Sequence, residues 1–513
     1  QTLVANLPSR LRLAGVGFAL IAVLLLMLRT PFEQVVETTL ADARTRLRRG
    51  VSIERADWAV VFLMAIAVAA RVVFLNQPMR YDEALSFNEF ASRAVYYGQS
   101  FYPEPNNHLL NTLLMHVAYV VGGNQPWVLR LPAFVAGVLL VPATYALGAL
   151  LYGRGVGLVA AGLVAASSYL VEYSTNARGY TIAALCCTTM FALVIVAVRR
   201  DSVSALLLAG IVAALGIYAV PTTLYGVAVA AVWLAIEMRR TRPRQLTPAS
   251  GVLVLLLMTL LVMLAYLPVV LVSGPEALVS NRFVVPLGWS ELAQQLPTSV
   301  GRTWALWNRD LPLIVTLLLG LGCVVASVDE VRRGEVPIAA VAVGLCLALV
   351  LLQRVAPFER VWLFLLPLFF VLAAGGLSLL VSRRTRVPLA GQFIGASALA
   401  VGLAALTVSS GSVLASPDTG AFPDAEQVVA TLRDRGLRQD DAVQTELPSS
   451  LPELQYYFPR SGLSVDALVR DPSGAERVWV IARPDGPPRG GAQEIARYRT
   501  AVLYRIPARP SQP

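Results

Sequence analysis

Asp82 and Glu83 stand side by side just beyond an apolar run that ends near Leu75. Adjacent carboxylates at a membrane surface offer a general base and a ligand for a divalent ion such as Mg²⁺ or Mn²⁺, although nothing in the sequence requires a metal. Arg80 and Tyr81 precede them, and Asn107 and His108 follow in the same loop. A second polar stretch, Glu172-Tyr173-Ser174-Thr175-Asn176-Ala177-Arg178-Gly179-Tyr180, lies between two apolar runs where a plain turn would need only Gly or Asn. A third opens a late apolar run with Glu359-Arg360. Arginine suits phosphate because its planar fork donates paired hydrogen bonds and keeps its charge in a low-dielectric site, which singles out Arg178 and Arg360.

Each group has a plainer reading. A bare Asp-Glu pair is commonly a helix N-terminus, arginines at span ends often snorkel to headgroups, Glu359 can pair locally, and His116 reads as a structural histidine. What argues for chemistry is the set. A charge costs about 2.5 to 3.5 kcal/mol at mid-membrane, yet Arg71, Arg130, Glu172, Arg178, Glu359 and Arg360 all fall at the same ends of their runs as the loop bearing Asp82 and His108.

The elements that must position these residues are membrane spans. Hydrophobic residues make up 56% of 513 positions and charged residues only 14%, a balance that excludes a soluble globule. Apolar runs near the roughly 20 residues needed to cross hydrocarbon occur at 11–28, 57–75, 127–150, 155–172, 178–198, 203–220, 222–238, 250–272, 311–328, 336–352, 359–381 and 388–410, about twelve in all. The net charge of +10 is carried by arginine alone, in clusters between runs rather than along one face, so it reports topology and not nucleic-acid binding. Arg44, Arg46, Arg48 and Arg49; Arg199 and Arg200; Arg239, Arg240, Arg242 and Arg244; Arg332 and Arg333; and Arg383, Arg384 and Arg386 alternate with the runs as cytoplasmic clusters. The alternation holds if Leu109 to Val121 is a re-entrant or juxtamembrane helix on the outer side.

The expected architecture is an all-α polytopic membrane protein with a small extracytoplasmic α/β domain. Residues 1–56 form an extra N-terminal span and a cytoplasmic amphipathic segment. Residues 57–410 form the transmembrane domain, with an outer loop at 76–126, and 411–513 form the C-terminal domain. Ala84, Phe87, Ala91, Ala94 and Val95 predict an amphipathic helix resting on the bundle. Trp289, Trp304 and Trp307 read as interfacial anchors in a second outer loop, Ser273 to Asp310. In the C-terminal domain a helix is expected from Asp424 to Arg435, stopped by Gly436, with strands at Val478 to Ala482 and Ala501 to Ile506. Cys186, Cys187, Cys323 and Cys346 lie inside apolar runs and imply neither a disulfide framework nor a zinc site.

In this order the segments Arg80-Tyr81-Asp82-Glu83, Asn107-His108, Trp127-Val128-Leu129-Arg130-Leu131-Pro132, Tyr152-Gly153-Arg154, Tyr173 to Tyr180, and Glu359-Arg360 before Leu365-Leu366-Pro367 resemble the lipid-carrier-dependent glycosyltransferases of the GT-C fold, in the branch of protein mannosyltransferases and aminoarabinose transferases. The resemblance spans about residues 57 to 370. One departure is that His108 is followed by Leu109-Leu110, where many relatives have two prolines.

The resemblance implies a polyprenyl-phosphate-linked sugar donor, a large cavity opening outward, and an acidic residue of the first loop as base, the place Asp82 holds with Glu83 beside it. In the expected mechanism Asp82 takes the proton of an acceptor hydroxyl as that oxygen attacks the anomeric carbon opposite the carrier phosphate, which inverts the configuration. Arg178 and Arg360 neutralise the departing oxygens. Arg80, Tyr81, Asn107, His108, Glu172, Asn176 and Tyr180 complete the expected donor site. The acceptor is a protein, lipid or polysaccharide, and the expected location is a bacterial cytoplasmic membrane with the site and the C-terminal domain outside. A transporter or flippase for a lipid-linked sugar is the main rival; against it, no internal repeat is evident and the charges gather at one face. A scaffold or receptor is a third reading, for which so many spans are excessive.

Overall fold

A computed structural model describes residues 2–27, 29–30, 33, 37, 55–279, 285–382, 388–418, 420, 422–447, 450–486 and 491–507. The arginine clusters at 44–49 and 383–386 and the amphipathic segment expected before residue 56 lie outside the described residues.

All twelve apolar runs are helical. Among the described residues six helices are long and apolar enough to cross a membrane, or seven if the bent pair Arg154–Ala166 and Ser168–Ser174 is one span. Trp58–Val72, Leu109–Gly122, Val203–Ala219 and Ile338–Gln353 are shorter apolar helices. The chain is a multi-pass membrane protein, and its outward faces agree: Leu313, Ile314, Leu317, Leu321 and Val324 leave one side of the helix Leu313–Arg332 exposed and apolar. Its opposite side meets Leu366–Ser382 so closely that a Cβ on Gly376 would stand 1.8 Å from the Gly322 carbonyl oxygen. Small residues let backbones approach in this way.

The helix Pro126–Tyr152 packs on Arg154–Ala166 and on Tyr180–Arg200, which packs in turn on Val203–Ala219. Tyr180–Arg200 has 21 residues, so Arg199 and Arg200 lie about 30 Å from its start at 1.5 Å per residue. The expected span 155–172 is broken, with a 60° bend between Ala166 and Ser168. A break leaves carbonyls without intrahelical partners. Fully buried Arg71 donates through Nη1 to the Ala165 carbonyl at 2.7 Å and through Nη2 to that of Val164 at 3.4 Å, and the Thr407 hydroxyl takes the Ala166 carbonyl at 2.8 Å. The span expected at 359–381 likewise opens with a 3₁₀ turn, Glu359–Leu365, before the α-helix Leu366–Ser382.

The helix expected after Asp82 is three pieces: Tyr81–Ser86, a π-helical turn Phe87–Ala91, and Val95–Ser100. Ala84, Phe87 and Ala91 are buried as expected, but they share a core with Phe422, Val428, Tyr456 and Tyr457 of the C-terminal domain, while Ala94 and Val95 are exposed. Periodicity identified the apolar face and not its partner.

That domain holds a four-stranded sheet in the order β1-β2-β4-β3, with β1 Ala442–Thr445, β2 Arg477–Ala482, β3 Gln493–Arg497 and β4 Val502–Pro507. β1 pairs parallel with β2, and the β2–β4 and β3–β4 pairs are antiparallel. The helix Ala425–Asp434 ends before Gly436, whose φ of 69° only glycine adopts without strain. A second helix, Leu451–Arg460, faces the outer-loop helix Tyr81–Ser86, where the Met79 amide donates to the Tyr457 hydroxyl at 3.0 Å and Asn88 to the Pro452 carbonyl at 2.9 Å.

Candidate functional site

Glu83 is fully buried and saturated. One oxygen accepts the Arg80 amide at 2.9 Å and an Arg130 Nη2–H; the other accepts Arg130 Nε at 3.0 Å and the Ala177 amide at 2.8 Å. Four donors fill the acceptor capacity of a carboxylate. Arg130 is also fully buried and donates through Nη1 to the carbonyls of Leu75 and Gln77, both at 2.7 Å. This knot ties the end of the apolar run 57–75 to the turn before Tyr180.

Asp82, one residue earlier, points elsewhere. Its Oδ2 has no hydrogen-bond partner, and Arg360 Nη1 stands 3.7 Å away. Of the two carboxylates that could have held a divalent ion, Glu83 does not fit the part, because four donors already occupy its lone pairs. Among the described residues no group of three or more His, Cys, Asp and Glu side chains could hold an ion.

Arg178 crosses from the Glu172–Tyr180 stretch to the first loop, where Nη1 donates to the Ser86 hydroxyl at 2.7 Å and the Asn106 carbonyl at 2.8 Å. Its Nη2 lies 3.3 Å from His108 Nε2. His108 Nδ1 accepts the Gly179 amide at 2.9 Å, which leaves the proton of a neutral ring on Nε2. Burial, then the charges of Arg178 and Arg360, push this imidazole well below its usual range, so it is neutral. Two donors, His108 Nε2–H and Arg178 Nη2–H, therefore face one another, and Arg178 Nε is also buried without an acceptor. Such convergence of donors suits an anion.

Tyr180 stacks edge-on against His108 at 4.8 Å and against Tyr173 at 5.4 Å, and its hydroxyl accepts Arg360 Nε at 3.2 Å. Arg178 and Arg360 both lie near 6 Å from its ring centre. A cavity of about 240 Å³ in the first outer loop is lined by Tyr81, Leu85, Glu89, Phe90, Pro103, Glu104 and Asn106.

Other expected site residues serve the scaffold. Asn107 spends its amide on the Gly98 and Phe101 carbonyls and its oxygen on Thr112, which shapes the loop. Glu172 lies between Arg80 at 3.4 Å and Arg309 at 2.6 Å. Arg80 also donates to the Ser416 and Val413 carbonyls. Asn176 is buried in the turn beside Ala177. A close approach locks that turn in place: a Cβ on Gly137 would meet Ser174 Oγ at 2.2 Å. Sequence reasoning missed Arg309 and Asp418. Asp418 is a solitary charge and Arg309 is followed by Asp310, both in connecting segments with no periodicity to mark them.

Residues 108–266 match the model of the dolichyl-phosphate-mannose-protein mannosyltransferase family, which covers well under half of the chain. No curated protein matches. Among solved structures, ArnT from Cupriavidus metallidurans in the apo state is 14% identical with a TM-score of 0.57, the match covering 88% of this chain and 98% of ArnT. ArnT bound to undecaprenyl phosphate is similar at the same identity and coverage, with a TM-score of 0.56. The archaeal oligosaccharyltransferase AglB from Archaeoglobus fulgidus is 11% identical over 83% of this chain and 69% of that one, with a TM-score of 0.48. The chain has a GT-C fold of the ArnT kind, and the resemblance its sequence bears to lipid-carrier-dependent glycosyltransferases extends to its architecture.

Proposed function

We propose that the protein transfers a sugar from a polyprenyl-phosphate carrier to an acceptor hydroxyl at the outer face of a bacterial cytoplasmic membrane. The observation that carries this reading is Asp82 Oδ2, which lacks a hydrogen-bond partner and stands 3.7 Å from Arg360 Nη1, in a loop cluster that also brings Arg178 Nη2 to 3.3 Å from His108 Nε2. A lipid phosphate is a good leaving group once its oxygens are neutralised, so the site needs cations on one side and a base on the other. The fold likeness to ArnT, which binds undecaprenyl phosphate, supports the carrier class.

Asp82 is the base. It takes the acceptor hydroxyl's proton while that oxygen attacks the anomeric carbon, and the carrier phosphate departs toward Arg178 and Arg360. A single displacement inverts the anomeric centre. His108, neutral with Nε2–H outward, donates to a phosphate oxygen without supplying a proton. Glu83 positions Asp82 and takes no part in proton transfer, and no step requires a metal.

Purified protein given a polyprenyl-phosphate sugar and a hydroxyl acceptor should release free polyprenyl phosphate and form an inverted glycoside, and Asp82→Asn should abolish both while the protein stays folded. Undiminished transfer by that variant overturns the base assignment. Movement of intact donor across sealed vesicles without sugar transfer supports the flippase reading instead.

A further inference from the structure

We infer that Asp418, in the strap that joins the bundle to the C-terminal domain, is a positioning residue for Arg360 and so for the donor phosphate. The inference rests on the proposed function, since it assigns that reading's phosphate-facing arginine a support from outside the bundle. The strap leaves the last bundle helix, Leu389–Ser410, at Gly411 and crosses the candidate site before the domain begins. Its main chain is held by the site's own cations. Arg80 donates to the Val413 and Ser416 carbonyls, and Arg360 Nη1 donates to the Asp418 carbonyl at 2.8 Å.

The Asp418 carboxylate closes a ring. Its Oδ2 accepts the Tyr173 hydroxyl at 2.6 Å and that of Tyr169 at 3.4 Å, and both tyrosines are fully buried. Tyr173 stacks on Tyr180, the Tyr180 hydroxyl accepts Arg360 Nε, and Arg360 returns to the Asp418 carbonyl. Side chain and main chain of one residue thus fix both ends of the path Tyr173–Tyr180–Arg360. A free arginine side chain loses rotamer entropy on binding an anion. Two acceptors that hold Nε and Nη1 beforehand remove most of that cost and leave Nη2 for the phosphate. The carboxylate is thus engaged by two buried tyrosine hydroxyls and serves as an anchor.

Three full-length proteins, wild type, Asp418→Ala and Asp418→Asn, test this by donor and acceptor kinetics and by the rate at which phenylglyoxal modifies Arg360, followed by mass spectrometry. Asp418→Ala should raise the donor KM about tenfold, leave the acceptor KM unchanged and speed modification of Arg360. Asp418→Asn keeps an oxygen for Tyr173 and should recover most of the loss. A donor KM that falls in Asp418→Ala overturns the inference, because the carboxylate would then be competing with the phosphate. Equal losses toward donor and acceptor with a lowered Tm also overturn it, leaving Asp418 merely structural, as does an unchanged Arg360 modification rate. Wild type that transfers no sugar from any lipid-linked donor defeats the proposed function, and the modification rates still decide whether Asp418 holds Arg360.

Discussion

Glu83 and Arg130 form a two-point ion pair in which neither side chain is exposed, across 47 residues of chain. Asp82, its immediate neighbour, has an oxygen that accepts no hydrogen bond and stands 3.7 Å from Arg360 Nη1. One dipeptide thus separates two environments for a carboxylate: Glu83 has every lone pair engaged and ties the loop to Arg130, and Asp82 keeps an oxygen without a hydrogen bond for the base role proposed above. The alternation follows from the helix Tyr81–Ser86, whose successive side chains diverge by about 100°.

Substitution should separate the two. Removing one partner of a buried pair leaves the other charge uncompensated at about 3 to 5 kcal/mol, so Glu83→Gln should lower the Tm and the folded yield in detergent. Asp82→Asn should lower neither and should abolish transfer. The double variant Glu83→Gln/Arg130→Met should recover part of the Tm. A wild-type Tm in Glu83→Gln would show that the pair does not hold the loop.

His108 should leave no mark on the pH profile. Its folded-state pKa lies well below 6.5 because burial, Arg178 and Arg360 disfavour the imidazolium. The ring therefore stays neutral from pH 6 to 8. A hydrogen-bond donor, not a proton donor, is what the site loses in His108→Ala, so kcat/KM should fall by roughly 10- to 100-fold with the profile's shape unchanged. An inflection between pH 6 and 8 that disappears in His108→Ala contradicts the neutral assignment.

Much of this arrangement was legible in the sequence, for reasons that differ by residue. The helices follow from hydropathy because each span must satisfy its own backbone in lipid. Arg178, His108, Asp82 and Arg360 stood out because ionisable groups are scarce in such a chain and shared one end of the spans. The break at Ser167 did not, since it depends on Arg71, a residue far away in sequence that takes up the freed carbonyls. In the C-terminal domain β2 and β4 announced themselves as apolar runs, whereas β1 has four residues and β3 is a partly exposed edge strand. The helix Leu451–Arg460 was hidden by Pro452 and Pro459. Asp418 and Arg309 acquire meaning only through partners in other segments.

The two arginines should differ in kind from the base. Arg178→Gln and Arg360→Gln each remove a cation from the departing phosphate, a loss of about 100- to 1,000-fold in kcat by analogy with a deleted oxyanion donor. Arg178 also braces the first loop through Ser86 and Asn106, so its variant should lose thermal stability as well. Titration with unglycosylated polyprenyl phosphate separates binding from chemistry. Both variants should bind it more weakly than wild type and Asp82→Asn should not; equal affinity in all four proteins would remove the arginines from the phosphate site.

Glu453 should make the stability of the protein depend on pH. Its side chain is fully buried beside the first outer loop, both oxygens lack partners, and burial, followed by the charges of Glu83 and Asp82, raises its pKa to about 8. Arg130, Glu426, Tyr456, Tyr457 and Arg460 are further titratable groups near this interface. An acid whose folded pKa exceeds its unfolded value of 4.5 holds its proton longer in the native state, so stability falls as pH rises between 4.5 and about 8. The full shift corresponds to roughly 5 kcal/mol at most. Glu453→Gln keeps the shape and cannot ionise, so its Tm should match wild type near pH 5 and exceed it increasingly toward pH 8.5. A difference between the two that stays constant across that range would mean that Glu453 is already ionised and partnered when the domain docks.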